Sequence, residues 1–341
     1  MDLFQLTRAL IDIDSVTGRE RAVGDFLFSY LSELAGRTGG SVERMPVAED
    51  RFNLFAAWGE PVVVLSTHID TVPPFFPSSE DDEHIHGRGA CDTKGLMAAM
   101  IKALEELLAD GHRGFGLLLV VGEETDSLGA KVANRQLRGS RYLINGEPTE
   151  NRLALGSKGA LSLALEAAGK AAHSAYPELG VSAIDRLLEA LARIRQVPLP
   201  SDPILGESTL NIGTISGGRA ANVIADQARA EVMIRTVGPA EELRSALQAA
   251  VTGVPGVRVS AQRETPAIHL GSLPGFETTI VKYTTDIPHL TAWGEPFLLG
   301  PGSIHVAHTP EERIAKRELV EAVGLYRDLV RGLQNRAAGD M

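Results

Sequence analysis

Apolar residues recur along the first half of the chain with two alternating periods, one helical and one strand-like. The spacing predicts a helix near 20 to 36, a strand near 61 to 66, a helix near 95 to 109, and strands near 116 to 121 and 141 to 144. Helices alternating with short apolar strands imply an α/β unit whose sheet is mostly parallel and flanked by helices. From about Leu161 to Glu264 the pattern changes to strand, helix (Val181 to Ile194), two strands (Ser208 to Ile215, Ala228 to Ile234), helix (Pro239 to Val251) and strand (Val257 to Ala261). That order is expected of an α+β insert carrying an antiparallel sheet. A strand (Pro296 to Leu299) and a closing helix (Arg317 to Leu333) then return to the first style. The expected organisation is therefore a large unit of residues 1–157 and 267–341, interrupted by a smaller one of residues 158–266.

Composition narrows the partners. Across 341 residues the formal charge is −11, and no run of Lys or Arg exceeds a pair, which argues against nucleic acid and anionic membranes. The opening MDLFQLTRALIDIDSV lacks a basic segment followed by an apolar one, and nothing approaches the ~20 apolar residues of a membrane span. One cysteine, Cys91, excludes an internal disulfide and suits a reducing compartment. The expectation is a cytoplasmic protein acting on small molecules.

Ligands of open parallel sheets bind beyond the carboxyl ends of the strands, so polar residues directly after apolar runs carry the chemistry. PVVVLS runs into His68 and Asp70, GLLLVV into Glu123 and Glu124, YLI into Glu147, and FLLGPG toward His305 and His308. Between the first two, HGRGACDTKG places Asp92 in a glycine-rich loop ahead of a helix. Each signal alone is weak. Together, two histidines and several carboxylates at one sheet edge fit a pair of divalent-metal sites, because burying such charges without a cation is costly.

The strings STHIDTVP, GRGACDTKGLMAAM, GEETDSLGA, GEPT and GPGSIHVAHTPEE resemble, in order, the signatures of the aminoacylase, acetylornithine deacetylase, succinyl-diaminopimelate desuccinylase and glutamate carboxypeptidase family of metallopeptidases. The resemblance implies a zinc-peptidase-like catalytic unit and two divalent ions, zinc first, with cobalt or manganese as alternatives. It assigns His68 and Glu147 to one metal, Glu124 and His308 to the other, and Asp92 as the bridge. It makes Glu123 the general base and Asp70 the acceptor of the second N–H of His68. It also implies a cis peptide after Asp92.

In the insert, His173 within GKAAHSAYPELG would polarise the scissile carbonyl, commonly across a homodimer interface formed by that unit. Arg235 and Asn222 would bind the substrate's carboxylate and backbone, with Arg219 a rival for the carboxylate. The stretch Gly300–Pro301–Gly302 would bring backbone N–H groups, those of its glycines, close to the bound acid. YTTDIPHL ahead of the last motif looks most like the acetylornithine deacetylase branch, so an N-acetylated amino acid is the first substrate expectation. A succinylated diamino acid, a carrier-bound lysine product or a dipeptide with a free carboxylate are the alternatives, and a catalytically silent dimeric binding module is the reading from another class. Asp286 and Glu178 are placed near the mouth of the site as attractors of a cationic group. Cys91 is expected to be buried filler, His84 and His86 to be structural, and His305 to yield to His308 as the ligand.

Overall fold

A computed structural model describes residues 1–136 and 138–339, which fall into two compact units. The first comprises Met1–Leu155, Leu270–Thr279 and the segment from Thr285 onward. Its six-stranded sheet runs in the order Ser41–Ala48, Arg51–Trp58, Phe115–Val120, Val63–His68, Tyr142–Asn145 and Glu295–Leu298. The four strands from Phe115–Val120 to Glu295–Leu298 are mutually parallel.

The centre of the sheet is buried on both faces, which explains its unbroken apolar runs. Alternate residues leave opposite sides of each strand. Val63, Leu65, Leu117 and Leu119 join the large core beneath Leu3–Ile11, Arg21–Thr38, Lys94–Ala109 and the long closing helix that starts at Lys316. Val64, Leu118 and Val120 pack on the other side against Ala130, Ala133 and Trp293.

The expected parallel core is present, but the sheet is mixed. A hairpin of Ser41–Ala48 and Arg51–Trp58 adds two antiparallel strands at one edge. The outer strand, SVERMPVA, is largely exposed and contains Pro46, as edge strands tolerate. Its polar residues hid it from periodicity. The helix Leu3–Ile11 also lay outside the expected elements, although Asp2 and Gln5 form a capping box at its start.

The second unit comprises Gly156–His269 and Ile280–Thr284. Its antiparallel sheet has the order Thr209–Gly217, Gln227–Thr236, Gly159–Ala168, Val257–Thr265. Ala228, Ala230, Val232 and Ile234 alternate inward with Leu161, Leu163 and Leu165 and meet the helices Ala183–Ile194 and Ala240–Val251. Ser182 caps the first of these helices by accepting the Asp185 N–H at 3.1 Å. Among the described residues, no helix is long and apolar enough to cross a membrane.

Candidate metal centre

Parallel registry brings the chemistry to one edge of the first unit. His68 pairs with Val120, and Ser66 with Asn145, so His68, the Gly122–Glu124 turn and Glu147 all emerge beyond the carboxyl ends of three neighbouring strands. Asp92 arrives from the loop before Lys94–Ala109, and the Asp92–Thr93 peptide is cis. His308 follows the strand Glu295–Leu298 in a left-handed backbone conformation, φ 64°.

Asp70 organises the turn that carries the acidic pair. Its carboxylate is fully buried and accepts N–H groups from Gly122 at 3.0 Å, Glu123 at 3.1 Å and Glu124 at 3.3 Å, and the Thr17 hydroxyl at 2.7 Å. Burial opposes its ionisation, but these donors and His68 hold its carboxyl below the ordinary range. The expected partnership with His68 takes a different form. His68 Nδ1 lies 2.9 Å from the Asp70 backbone carbonyl and 3.5 Å from its carboxylate. A carbonyl only accepts, so Nδ1 carries a hydrogen, and Nε2 is the ring nitrogen that faces the site.

From that Nε2 the donor atoms form a chain. It stands 3.0 Å from Asp92 Oδ1 and 4.0 Å from Glu147 Oε1. The second Asp92 oxygen, Oδ2, is 3.2 Å from His308 Nε2, which lies 3.1 Å from Glu124 Oε2. Donors about 2.0–2.2 Å from a shared tetrahedral ion stand roughly 3.3 Å apart, which is the scale of these spacings. Asp92 therefore offers one oxygen to each end of the set. The atoms of His68, Asp92 and Glu124 alone lie within 4.8 Å of one another, tight enough to hold a metal.

Electrostatics point the same way. Burial pushes the Glu123 and Glu147 carboxyls well above their ordinary range, with His68 opposing and neighbouring carboxylates adding to the rise. Glu124 is raised by burial too, against the pull of His308. Glu147 Oε1 is buried without a hydrogen-bond partner. An orphaned buried oxygen among crowded acids is what a divalent cation satisfies, and the imidazole and carboxylate donors suit such an ion.

Asp286 corrects one expectation. It is only 1% exposed, so it is no attractor at a mouth; it packs among the site's acids with neither carboxylate oxygen hydrogen-bonded. Burial raises its carboxyl to about 6, with nearby Ser127 and His68 opposing and Asp70 adding. Sequence reasoning also missed Arg88, which pairs with Glu312 while Glu312 accepts the Asp92 N–H at 3.2 Å. No strand-end signal marks either residue.

His305 is exposed, and its imidazole lies outside the donor chain that His308 joins. His84 and His86 flank Asp81, the latter at 2.9 Å. Cys91 is buried, with its thiol raised by burial and by Asp92 and Glu312. The glycines differ from their expected use. Gly300 donates its N–H to Thr149 Oγ1 at 3.0 Å and Gly302 donates to Glu318 at 3.1 Å, so both amides are already engaged. At Gly302, φ is 85° and a Cβ would stand 2.7 Å from Cys91 Sγ, so close packing is what demands glycine.

The remaining candidates belong to the second unit. His173 is exposed, and its Nδ1 accepts the Ala175 N–H at 3.1 Å, which selects the tautomer with the hydrogen on Nε2. Asn222 is exposed, and its carbonyl accepts the Ser174 N–H at 3.0 Å. Arg219 is occupied by Asp226 in a two-pronged pair at 3.1 and 2.7 Å. The guanidinium of Arg235, half-buried on Gln227–Thr236, forms no hydrogen bond or ion pair with a described residue. That leaves its guanidinium free for a carboxylate, which the engaged Arg219 is not.

Taken together, the sheet-edge histidines and the shared acids make this a metal-dependent hydrolase. A sequence profile of the peptidase family M20/M25/M40 matches residues 64–332, and the chain belongs to that family. It is 40% identical to a peptidase M20 domain-containing protein of Schizosaccharomyces pombe, covering 96% of this chain and 84% of the relative. It is also 40% identical to a probable carboxypeptidase of Aspergillus terreus, over 95% and 84% of the two chains. Among solved structures, an aminopeptidase of Bacillus cereus aligns with a TM-score of 0.81 at 20% identity, over 97% and 98%. A Bacillus subtilis protein described as a dinuclear metal-binding peptidase of the M20 family aligns with a TM-score of 0.69 at 15% identity, over 96% of each chain. These names are peptidases and carboxypeptidases, not the deacetylase branch suggested by YTTDIPHL.

Proposed function

We propose that the chain hydrolyses the amide bond next to the free carboxylate of a dipeptide or short peptide, using two divalent ions of which zinc is the first candidate. The observation carrying the two-ion reading is the division of Asp92, one oxygen toward His68 and the other toward His308. His68 and Glu147 would hold one ion and Glu124 and His308 the other, with Asp92 shared. Bound there, such ions supply Lewis-acid activation of water and of the scissile carbonyl. Glu123, next to Glu124 yet outside the donor chain, accepts the proton of the attacking water and delivers it to the leaving amine. Burial raises its carboxyl, which makes it a stronger proton acceptor than an exposed carboxylate. Asp70 keeps this base in place through the three turn amides. The peptide substrate class is supported by the names of the relatives at 40% identity.

The test is a turnover panel with metal-loaded protein: dipeptides, the same dipeptides amidated at the carboxyl end, N-acetylornithine and N-succinyl-diaminopimelate. Free dipeptides are expected to exceed the acylated amino acids by at least about tenfold, and amidation to abolish turnover. Preference for N-acetylornithine would return the protein to the deacetylase reading.

A further inference from the structure

Arg88 and Glu312 are among the most buried charged residues of the chain, at 2% and 1% exposure, and neither belongs to the donor chain just described. Glu312 Oε1 accepts three backbone N–H groups, from Gly89 at 2.9 Å and from Cys91 and Asp92 at 3.2 Å each. Its other oxygen takes the Arg88 guanidinium, and its backbone carbonyl accepts the Gly87 N–H at 3.1 Å. The carboxylate thus fills a concavity of amides made by the segment that ends in Asp92. Arg88 is anchored in turn, donating to the Pro74 carbonyl at 3.2 Å and lying 4.9 Å from the centre of the Phe76 ring.

The placement is reciprocal. Arg88 stands four residues before Asp92, and Glu312 four residues after His308. We propose that the Arg88–Glu312 pair is a positioning clamp that sets Asp92 against His308, and so fixes the affinity of the metal site those two residues share. The inference rests on the two-ion reading above. It assigns no ligand role to either residue, since every oxygen of Glu312 is already committed. The clamp adds to the other contacts between these two loops, which are more than two hundred residues apart in sequence: the short antiparallel pairing of His84–His86 with Arg313–Ala315 and the Cys91 thiol donated to the Ser303 carbonyl. Partners of this kind, which orient ligands without touching the metal, typically change affinity by about 10–100-fold.

The experiment titrates metal-free protein with zinc in the presence of a competing chelator, reading binding heats, with folding checked by circular dichroism. Wild type should show two binding steps, and His308→Ala identifies which step belongs to the Asp92–Glu124–His308 end. Glu312→Gln keeps the shape and the acceptor for the amides but sets an amide N–H₂ against the guanidinium. It is expected to weaken that same step by about 10–100-fold while leaving the other within about threefold. Should Glu312→Gln not fold, Arg88→Lys carries the test, since it keeps the charge and loses the planar fork; a smaller weakening of the same step is expected. A folded variant whose two affinities both match wild type would overturn the clamp. Wild type binding one ion or none would instead refute the two-ion reading, and the clamp's metal role with it.

Discussion

In the metal-free protein, Asp286→Asn should be stabilising at neutral pH and lose its benefit on acidification. The carboxyl is buried with neither oxygen paired, among Glu123, Glu147 and Asp70, and is raised from 3.8 to about 6. A carboxyl whose folded pKa lies above its unfolded one contributes its full share of stability below the unfolded value and loses it as pH rises through the folded one. Ionised Asp286 therefore costs stability above pH about 6 and costs nothing below about 4. The gap is roughly two pH units at 1.36 kcal/mol each, so removing the charge should return at most about 3 kcal/mol at pH 8. For a unit of this size that is a rise in midpoint of at most about 6–12 °C. The assay is thermal unfolding of chelator-treated wild type and variant at pH 8, 6 and 4. The gain should shrink through pH 6 and vanish by pH 4. Repeating the pair with saturating zinc should shrink it again, because bound cations offset the repulsion that Asn relieves. A variant no more stable at pH 8, or one whose gain persists at pH 4, would show that Asp286 is not an unpaired buried charge.

Other perturbations separate the roles of neighbouring residues. Glu123→Gln should keep its metal content and fold while losing about 10²–10⁴-fold in turnover, measured on one preparation by metal analysis and kinetics; substantial turnover at full loading would place the proton acceptor elsewhere. His308→Ala should lose one ion's affinity together with activity, whereas His305→Ala should bind metal like wild type, and reversed metal contents would overturn the choice of His308. If the second unit pairs two subunits and His173 acts on the partner's substrate, mixing inactive His173→Ala and Glu123→Ala chains should restore roughly a quarter of wild-type activity, and a mixture that stays inactive after verified subunit exchange would exclude action in trans.

Much of the catalytic unit was legible because its strands are buried on both faces, so hydrophobic runs end abruptly where the site begins. His68, Glu123, Glu124 and Glu147 sit at such ends, and the structure brings them together with Asp92 and His308. The outer strand SVERMPVA was not legible, since its exposed positions leave too few apolar ones to show a period, while its partner RFNLFAAW, apolar and mostly buried, was passed over. Asp286 and Arg88 were misread or missed for a different reason. Their importance lies in burial and in partners remote along the chain, Arg88 meeting Glu312 across 224 positions, and no local pattern encodes that. Gly302 shows a third case: the residue type was noticed, but only packing against Cys91 and the donation to Glu318 reveal why it is glycine.

The central claim is that one edge of the first unit holds two ions, with Asp92 between them, and that hydrolysis depends on both. The most direct measurement strips the protein with chelator, restores zinc in steps, and follows bound metal per chain and dipeptide turnover on the same samples. Turnover should be absent without metal and reach its maximum as occupancy reaches two ions per chain. Full turnover at one ion per chain, or turnover unaffected by stripping, would contradict it.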